Sequence, residues 1–143
     1  MIGTELSKRS AGSQPKSIHV AQILLIDDSP TQLRVRELVL RGAGFQVSIA
    51  TTAESALALL RTAASKFDVV VTDHILPGAS GSDFVRELRA AEPDLPVIVV
   101  SGMPDVQEEY KDLDVIVRQK PLAPQELIEL VRSQVRSDGE RTA

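Results

Sequence analysis

With 143 residues and no cysteine, the chain is sized for one domain and can hold no disulfide, thiolate metal site or cysteine nucleophile. Hydrophobic residues at 43% supply an aliphatic core, whereas aromatics at 3% and a net charge of −4 without a Lys/Arg-rich run in the folded part leave no base-stacking platform or phosphate-backbone footprint, so direct nucleic-acid binding is not expected. No apolar stretch approaches the roughly 18 residues that span a bilayer, and Met1 to Gln22 contains no continuous apolar segment of the signal-peptide kind, which predicts a cytoplasmic protein without membrane contact.

Residues 1–17, MIGTELSKRSAGSQPKS, lack helical or strand periodicity and read as a flexible N-terminal arm. A single domain over residues 20–137 follows, and residues 138–143 form a frayed tail. The first strand is expected at Ile23–Asp27. A helix then opens at SPTQ, with Ser29 as N-cap, Pro30 at the first helical position and Gln32 completing a capping box; it presents Leu33, Val35, Leu38 and Val39 and ends between Gly42 and Gly44. The second strand is Gln46–Ala50. A second capping box, Thr51 to Glu54, starts a helix carrying Ala53, Ala56, Leu57, Leu60 and Ala64 at helical spacing.

The third strand, Phe67–Asp73, and the fourth, Pro96–Val100, contain the runs VVV and VIVV, apolar on both faces as in a parallel sheet covered by helices on two sides. Between them a helix presents Phe84, Val85, Leu88 and Ala91. Ser101 to Val115 leaves room for about two helical turns with a thin apolar face. The fifth strand is Val115–Arg118, and a last helix presents Leu127, Ile128, Val131 and Val135. Five strands alternating with five helices predict an α/β, doubly wound, five-stranded parallel sheet of order 2-1-3-4-5, in which chemistry belongs at the carboxyl ends of the strands.

Those ends carry Asp27 and Asp28, then Asp73, Ser101 and Lys120. The two adjacent aspartates can line one site only because the chain leaves the sheet there. Two carboxylates about 4 Å apart repel by roughly 4 kcal/mol at an effective dielectric of 20, and Asp73 adds a third charge. Oxygen ligands with no His or Cys suit a hard ion that retains water and phosphate oxygens, namely Mg²⁺. Lys120 offers a point charge for a phosphate oxygen and Ser101 a hydroxyl donor. Asp73, on the middle strand between the acidic pair and the Ser/Lys pair, is the best candidate nucleophile for phosphoryl transfer. His74 adjoins it but is read as a non-ligand, because neighbouring strand residues face opposite ways. The other histidine, His19, precedes the first strand.

Over Ala21 to Arg136 the sequence resembles the receiver domain of two-component response regulators, through LLIDDSP, VVVTDHILPGASG with Pro77 and Gly81 after the aspartate, VIVVSG and QKP. The resemblance implies the flavodoxin-like receiver fold and a phosphoryl group accepted on Asp73 from a histidine kinase or phosphotransfer protein. It implies Mg²⁺ bound directly by Asp28 and Asp73, through water by Asp27, and by the Ile75 carbonyl. It further implies that Ser101 and Lys120 contact the phosphoryl group and that the Lys120–Pro121 bond is cis.

The pattern departs from the family at Val117, three positions before the lysine, where many receivers carry a switch-reporting aromatic. Phosphorylation is therefore expected to move the Ser101–Tyr110 segment instead. Ile75 and Met103, each two residues beyond a site residue, are apolar and cannot position a hydrolytic water, which predicts slow loss of phosphate. With no second domain after Arg136, a stand-alone receiver is expected: a substrate and switch rather than a turnover enzyme, signalling by contacts to an unknown downstream protein, with a homodimer compatible.

Three alternatives compete. A degenerate receiver would bind partners without phosphorylation. A haloacid-dehalogenase-type hydrolase needs a nucleophile and an acid one residue apart after the first strand, which DDSP does not offer. A flavin or nucleotide carrier needs a Ser/Thr/Gly-rich phosphate loop where SPTQLR starts a helix.

Overall fold

The computed structural model describes residues 20–63 and 66–135. The expected arm at 1–17, His19, Ala64 and the tail at 138–143 lie outside the described residues. Numbering the sheet strands in chain order, β1 is Gln22–Ile26, β2 Gln46–Ala50, β3 Val69–Asp73, β4 Val97–Ser101 and β5 Ile116–Gln119. All four pairings are parallel and the order is β2-β1-β3-β4-β5, the doubly wound arrangement expected from the sequence. The helices are α1 Pro30–Gly42, α2 Ala53–Ala63, α3 Gly81–Ala91 and α4 Pro124–Gln134. Among the described residues no helix is long and apolar enough to cross a membrane.

The apolar strands are buried on both faces for a simple geometric reason. Successive side chains point to opposite sides, so Ile23 and Leu25 of β1 join one core with Leu33 and Leu40 of α1 and Leu127 and Val131 of α4. Leu24 and Ile26 join the other, with Ala56 and Leu60 of α2 and Phe84, Val85 and Leu88 of α3. All residues of β3 and β4 are buried. At about 1.5–3 kcal/mol per fully buried large aliphatic side chain, these strands are a rigid frame for whatever stands at their ends.

Several local expectations are corrected. The fourth helix is absent: the long connection from β4 to β5 holds one 3₁₀ turn, Gln107–Tyr110, anchored by buried Val106, Tyr110 and Leu113. So few apolar residues cannot hold a longer helix on the sheet. In α1, Val35 and Leu38 are exposed, because the stripe facing the core runs through Leu33 and Leu40. Ala91, at the end of α3, is also exposed.

The Ser29 cap forms, its hydroxyl accepting from Gln32 N at 3.3 Å, but the return half of the box does not; Ser29 N donates to Asp27 Oδ1 at 2.9 Å. The cap of α2 lies one residue later than expected. Ser55 N donates to Thr52 Oγ1 at 3.0 Å, and Thr52 N to Ser55 Oγ at 3.4 Å.

Candidate functional site

The β1 ladder reaches one residue past the strand, since Asp27 N donates to Ala50 O at 3.2 Å. Asp27 is thereby fixed and fully buried, while the chain turns into the Ser29 cap and leaves Asp28 exposed. Asp73 ends β3 and is 7% exposed. Ligand oxygens of Asp27, Asp28 and Asp73 all lie within 4.8 Å of one another, so the three carboxylates expected to converge do so.

Two cations face this cluster. Lys120, just past β5, is aligned by its backbone N–H to Ser101 O at 2.7 Å and carries its Nζ to 3.0 Å from Asp73 Oδ1; the bond to Pro121 is cis. Arg36, unforeseen from sequence, reaches from the second turn of α1 with Nη1 2.9 Å from Asp27 Oδ2 and 3.7 Å from Asp73 Oδ1. Gln32 bridges them, its Oε1 accepting from Lys120 Nζ at 3.0 Å and from Arg36 Nη2 at 3.4 Å. The signal for Arg36 was present in its spacing: four residues after Gln32 it shares the helix face that rises from the acidic pair.

The cluster is not fully neutralised. Asp73 Oδ1 is buried and receives no well-aligned hydrogen bond, despite the close Lys120 charge. Burial raises the Asp73 carboxyl above its ordinary value, Lys120 opposes the shift, and neighbouring Asp27 adds to it. A buried carboxylate oxygen held by ion pairs without a well-aligned hydrogen bond, beside two further carboxylates and no imidazole or thiolate, is a donor set that fits Mg²⁺.

The remaining expected residues surround this centre. Ser101, buried at the end of β4, is turned into its own loop: its hydroxyl donates to Met103 O at 2.8 Å and accepts from Met103 N at 2.9 Å. Ile75 and Met103 are exposed, at 60% and 48%. Ile75 belongs to a small hairpin, Ile75–Leu76 with Ala79–Ser80, whose turn is Pro77-Gly78 with φ +76° at Gly78. Val117 is half-buried against the core that also contains Tyr110.

His74 is outside the acidic cluster and buried, its Nδ1 2.6 Å from the Tyr110 hydroxyl, with the rings edge-on at 5.6 Å. Burial pushes the Tyr110 hydroxyl well above its usual range, so it stays protonated and can donate to Nδ1. Gly81 closes the same corner: its N–H donates to His74 O at 2.7 Å, and a Cβ there would collide with that carbonyl and the Tyr110 hydroxyl. The residue after Asp73 is thus tied to the 3₁₀ turn of the β4–β5 connection.

The sequence profile of the response regulator receiver domain matches residues 23–132. The chain belongs to this family. Receiver domains are signalling switches of two-component systems rather than turnover enzymes and typically bind Mg²⁺ at an acidic pocket; the chain carries an aspartate cluster. Among curated relatives, the DNA-binding response regulator MtrA of Mycolicibacterium smegmatis is 31% identical over 127 residues, covering 85% of this chain and 54% of MtrA. The probable transcriptional regulatory protein TcrX of Mycobacterium tuberculosis is 30% identical over 139 residues, covering 94% of this chain and 56% of TcrX. The chain therefore spans about half the length of these relatives.

Two solved receiver structures agree in fold. One from Clostridium thermocellum has a TM-score of 0.77 at 27% identity, covering 86% of this chain and 98% of its own. One from Pseudomonas putida has a TM-score of 0.74 at 31% identity, covering 81% and 98%.

Proposed function

We propose that this chain is a phosphoacceptor switch in which Asp73 receives a phosphoryl group from a histidine kinase or a histidine phosphotransfer protein in the cytoplasm. The observation that carries the reading is the position of Asp73: buried at the end of its strand, between the Asp27–Asp28 pair and the Lys120 ammonium 3.0 Å away. Asp27, Asp28, Asp73 and the Ile75 carbonyl would hold Mg²⁺, which supplies charge neutralisation for the transferring phosphoryl oxygens. An Asp73 carboxylate oxygen forms the bond to phosphorus as the P–N bond to the donor histidine breaks, and the imidazole leaves with the electron pair. Lys120 offsets the added charge, since phosphorylation takes the Asp73 side chain from −1 to about −2.

Ser101 connects this chemistry to shape. A phosphoryl oxygen is a stronger acceptor than the Met103 carbonyl, so the hydroxyl leaves its two bonds to Met103 and the turn behind it loses its tie. Val117 has no polar group to follow that movement. Tyr110, at the far end of the same connection and bonded to His74, supports the reading that the segment from Ser101 to Tyr110 is the moving element. Amide exchange with and without a phosphoryl mimic should differ there, and an unchanged pattern would refute this route.

One observation favours a second reading, a degenerate receiver that binds partners without phosphorylation: both Asp27 oxygens already accept from internal donors, Ser29 N and Arg36. Intact-mass measurement after treatment with a chemical phosphodonor and Mg²⁺ separates the two. A stoichiometric phosphate gain that disappears in Asp73→Asn supports the switch; no gain supports the degenerate receiver.

A further inference from the structure

We propose that Arg36 is the resident counter-cation of the acidic site, holding Asp27 and Asp73 together in the metal-free protein and competing with the divalent ion for them. The inference rests on the metal-site reading above and assigns a positioning residue to it.

The geometry is specific. Arg36 is anchored on α1 with its side chain only 13% exposed, and the same Nη1 faces Asp27 Oδ2 at 2.9 Å and Asp73 Oδ1 at 3.7 Å. Asp27 Oδ1 is taken by Ser29 N, so its remaining oxygen can serve either the guanidinium or a metal-bound water. Gln32 holds the other side of Arg36 and links it to Lys120. The contacts form a closed circuit from Asp27 through Arg36, Gln32 and Lys120 to Asp73.

Charge makes the competition unavoidable. The three carboxylates and two cations leave the site at −1, against −2 without Arg36, so the guanidinium halves the charge that attracts Mg²⁺. It also repels the incoming ion directly from a few ångströms away. Once the phosphoryl group adds its own negative charge, the same guanidinium becomes favourable. Arg36 is thus set to weaken metal binding in the resting protein while preventing the carboxylates from forcing the site apart.

Mg²⁺ titration calorimetry and metal-free melting of the full chain test this with wild type, Arg36→Ala, Arg36→Gln and Arg36→Lys. Arg36→Ala and Arg36→Gln should bind Mg²⁺ about tenfold tighter or more and melt lower in EDTA, with Mg²⁺ restoring the loss, as expected when one unit charge is removed within a few ångströms. Arg36→Lys, which keeps the charge, should remain near wild type in affinity. Equal or weaker Mg²⁺ affinity in both neutral variants overturns the proposal while leaving the metal site standing. If neither wild type nor variants bind Mg²⁺, the metal-site reading fails as well. Arg36→Gln retains an amide donor to Asp27 and serves if the alanine variant does not fold.

Discussion

Asp73→Asn should stabilise the metal-free protein at neutral pH. Asp27 and Asp28 present oxygens within 4.8 Å of Asp73, and a unit pair at that distance repels by about 3.5 kcal/mol at an effective dielectric of 20. On the same scale Lys120 at 3.0 Å and Arg36 at 3.7 Å contribute about 5.5 and 4.5 kcal/mol of attraction. Charge alone therefore leaves at most about 3 kcal/mol in favour of the ionised form, and solvent weakens the Asp28 and Lys120 members alike. Burying the carboxylate costs several kcal/mol, so desolvation wins, in agreement with the upward shift of its pKa.

A carboxyl whose folded pKa is raised loses stability as pH climbs through that folded value. The asparagine should accordingly gain about 1–3 kcal/mol at pH 7 in EDTA, or roughly 3–10 °C in Tm. The difference should shrink as pH falls toward 3.8, the ordinary value. Adding Mg²⁺ should reverse the order, since binding at 100 times Kd is worth about 2.7 kcal/mol and the variant has lost a ligand. Circular dichroism melts across this pH range provide the assay. A variant that melts below wild type in EDTA at pH 7 would show that the cations outweigh burial, and the reasoning would fail.

Arg89→Met should cost about 3–5 kcal/mol in urea denaturation, because its guanidinium donates to the carbonyls of Glu92, Leu95, Leu113 and Asp114 and staples α3 to the segments that lead into β4 and β5. Gly81→Ala should cost about 2–4 kcal/mol and slow phosphoryl uptake, since its Cβ meets backbone that holds the loop after Asp73; an unchanged denaturation midpoint would contradict this. Tyr110→Phe removes the hydroxyl bonded to His74, so amide exchange between residues 102 and 110 should rise in the unphosphorylated protein, with a stability loss of about 1–3 kcal/mol. Ile75→Asn should speed dephosphorylation several-fold by offering a polar group beside the phosphoryl site, measured by loss of the phosphorylated mass with time; an unaltered rate would remove Ile75 from any account of lifetime.

What could be read from sequence, and what could not, follows from the range of the forces involved. The sheet was legible because burial on two faces writes itself as uninterrupted runs such as Val69–Val71 and Val97–Val100, and strand order then brings Asp27, Asp73 and Lys120 to one edge regardless of detail. Helix α1 was legible in extent but not in rotation: Val35 and Leu38 fit an apolar stripe as well as Leu33 and Leu40 do, and only packing against β1 selects between them.

The site shows the same divide more sharply. Residue types at strand ends disclose which groups meet, because backbone ladders fix them, but not how their charges are balanced, because that depends on side chains arriving from elsewhere. The Gln32 backbone N–H keeps its place in the helix cap, but its side chain, assigned to the return bond of that cap three residues away, instead accepts from Lys120, 88 positions distant. A local cap offers one neutral hydrogen bond, whereas the site offers two cations that must be kept apart near a buried carboxylate, and the charged contacts outcompete the local one. Arg36 follows from the same competition: a solvated helix residue by composition becomes a partner of Asp27 because the fold leaves three carboxylates with too few donors.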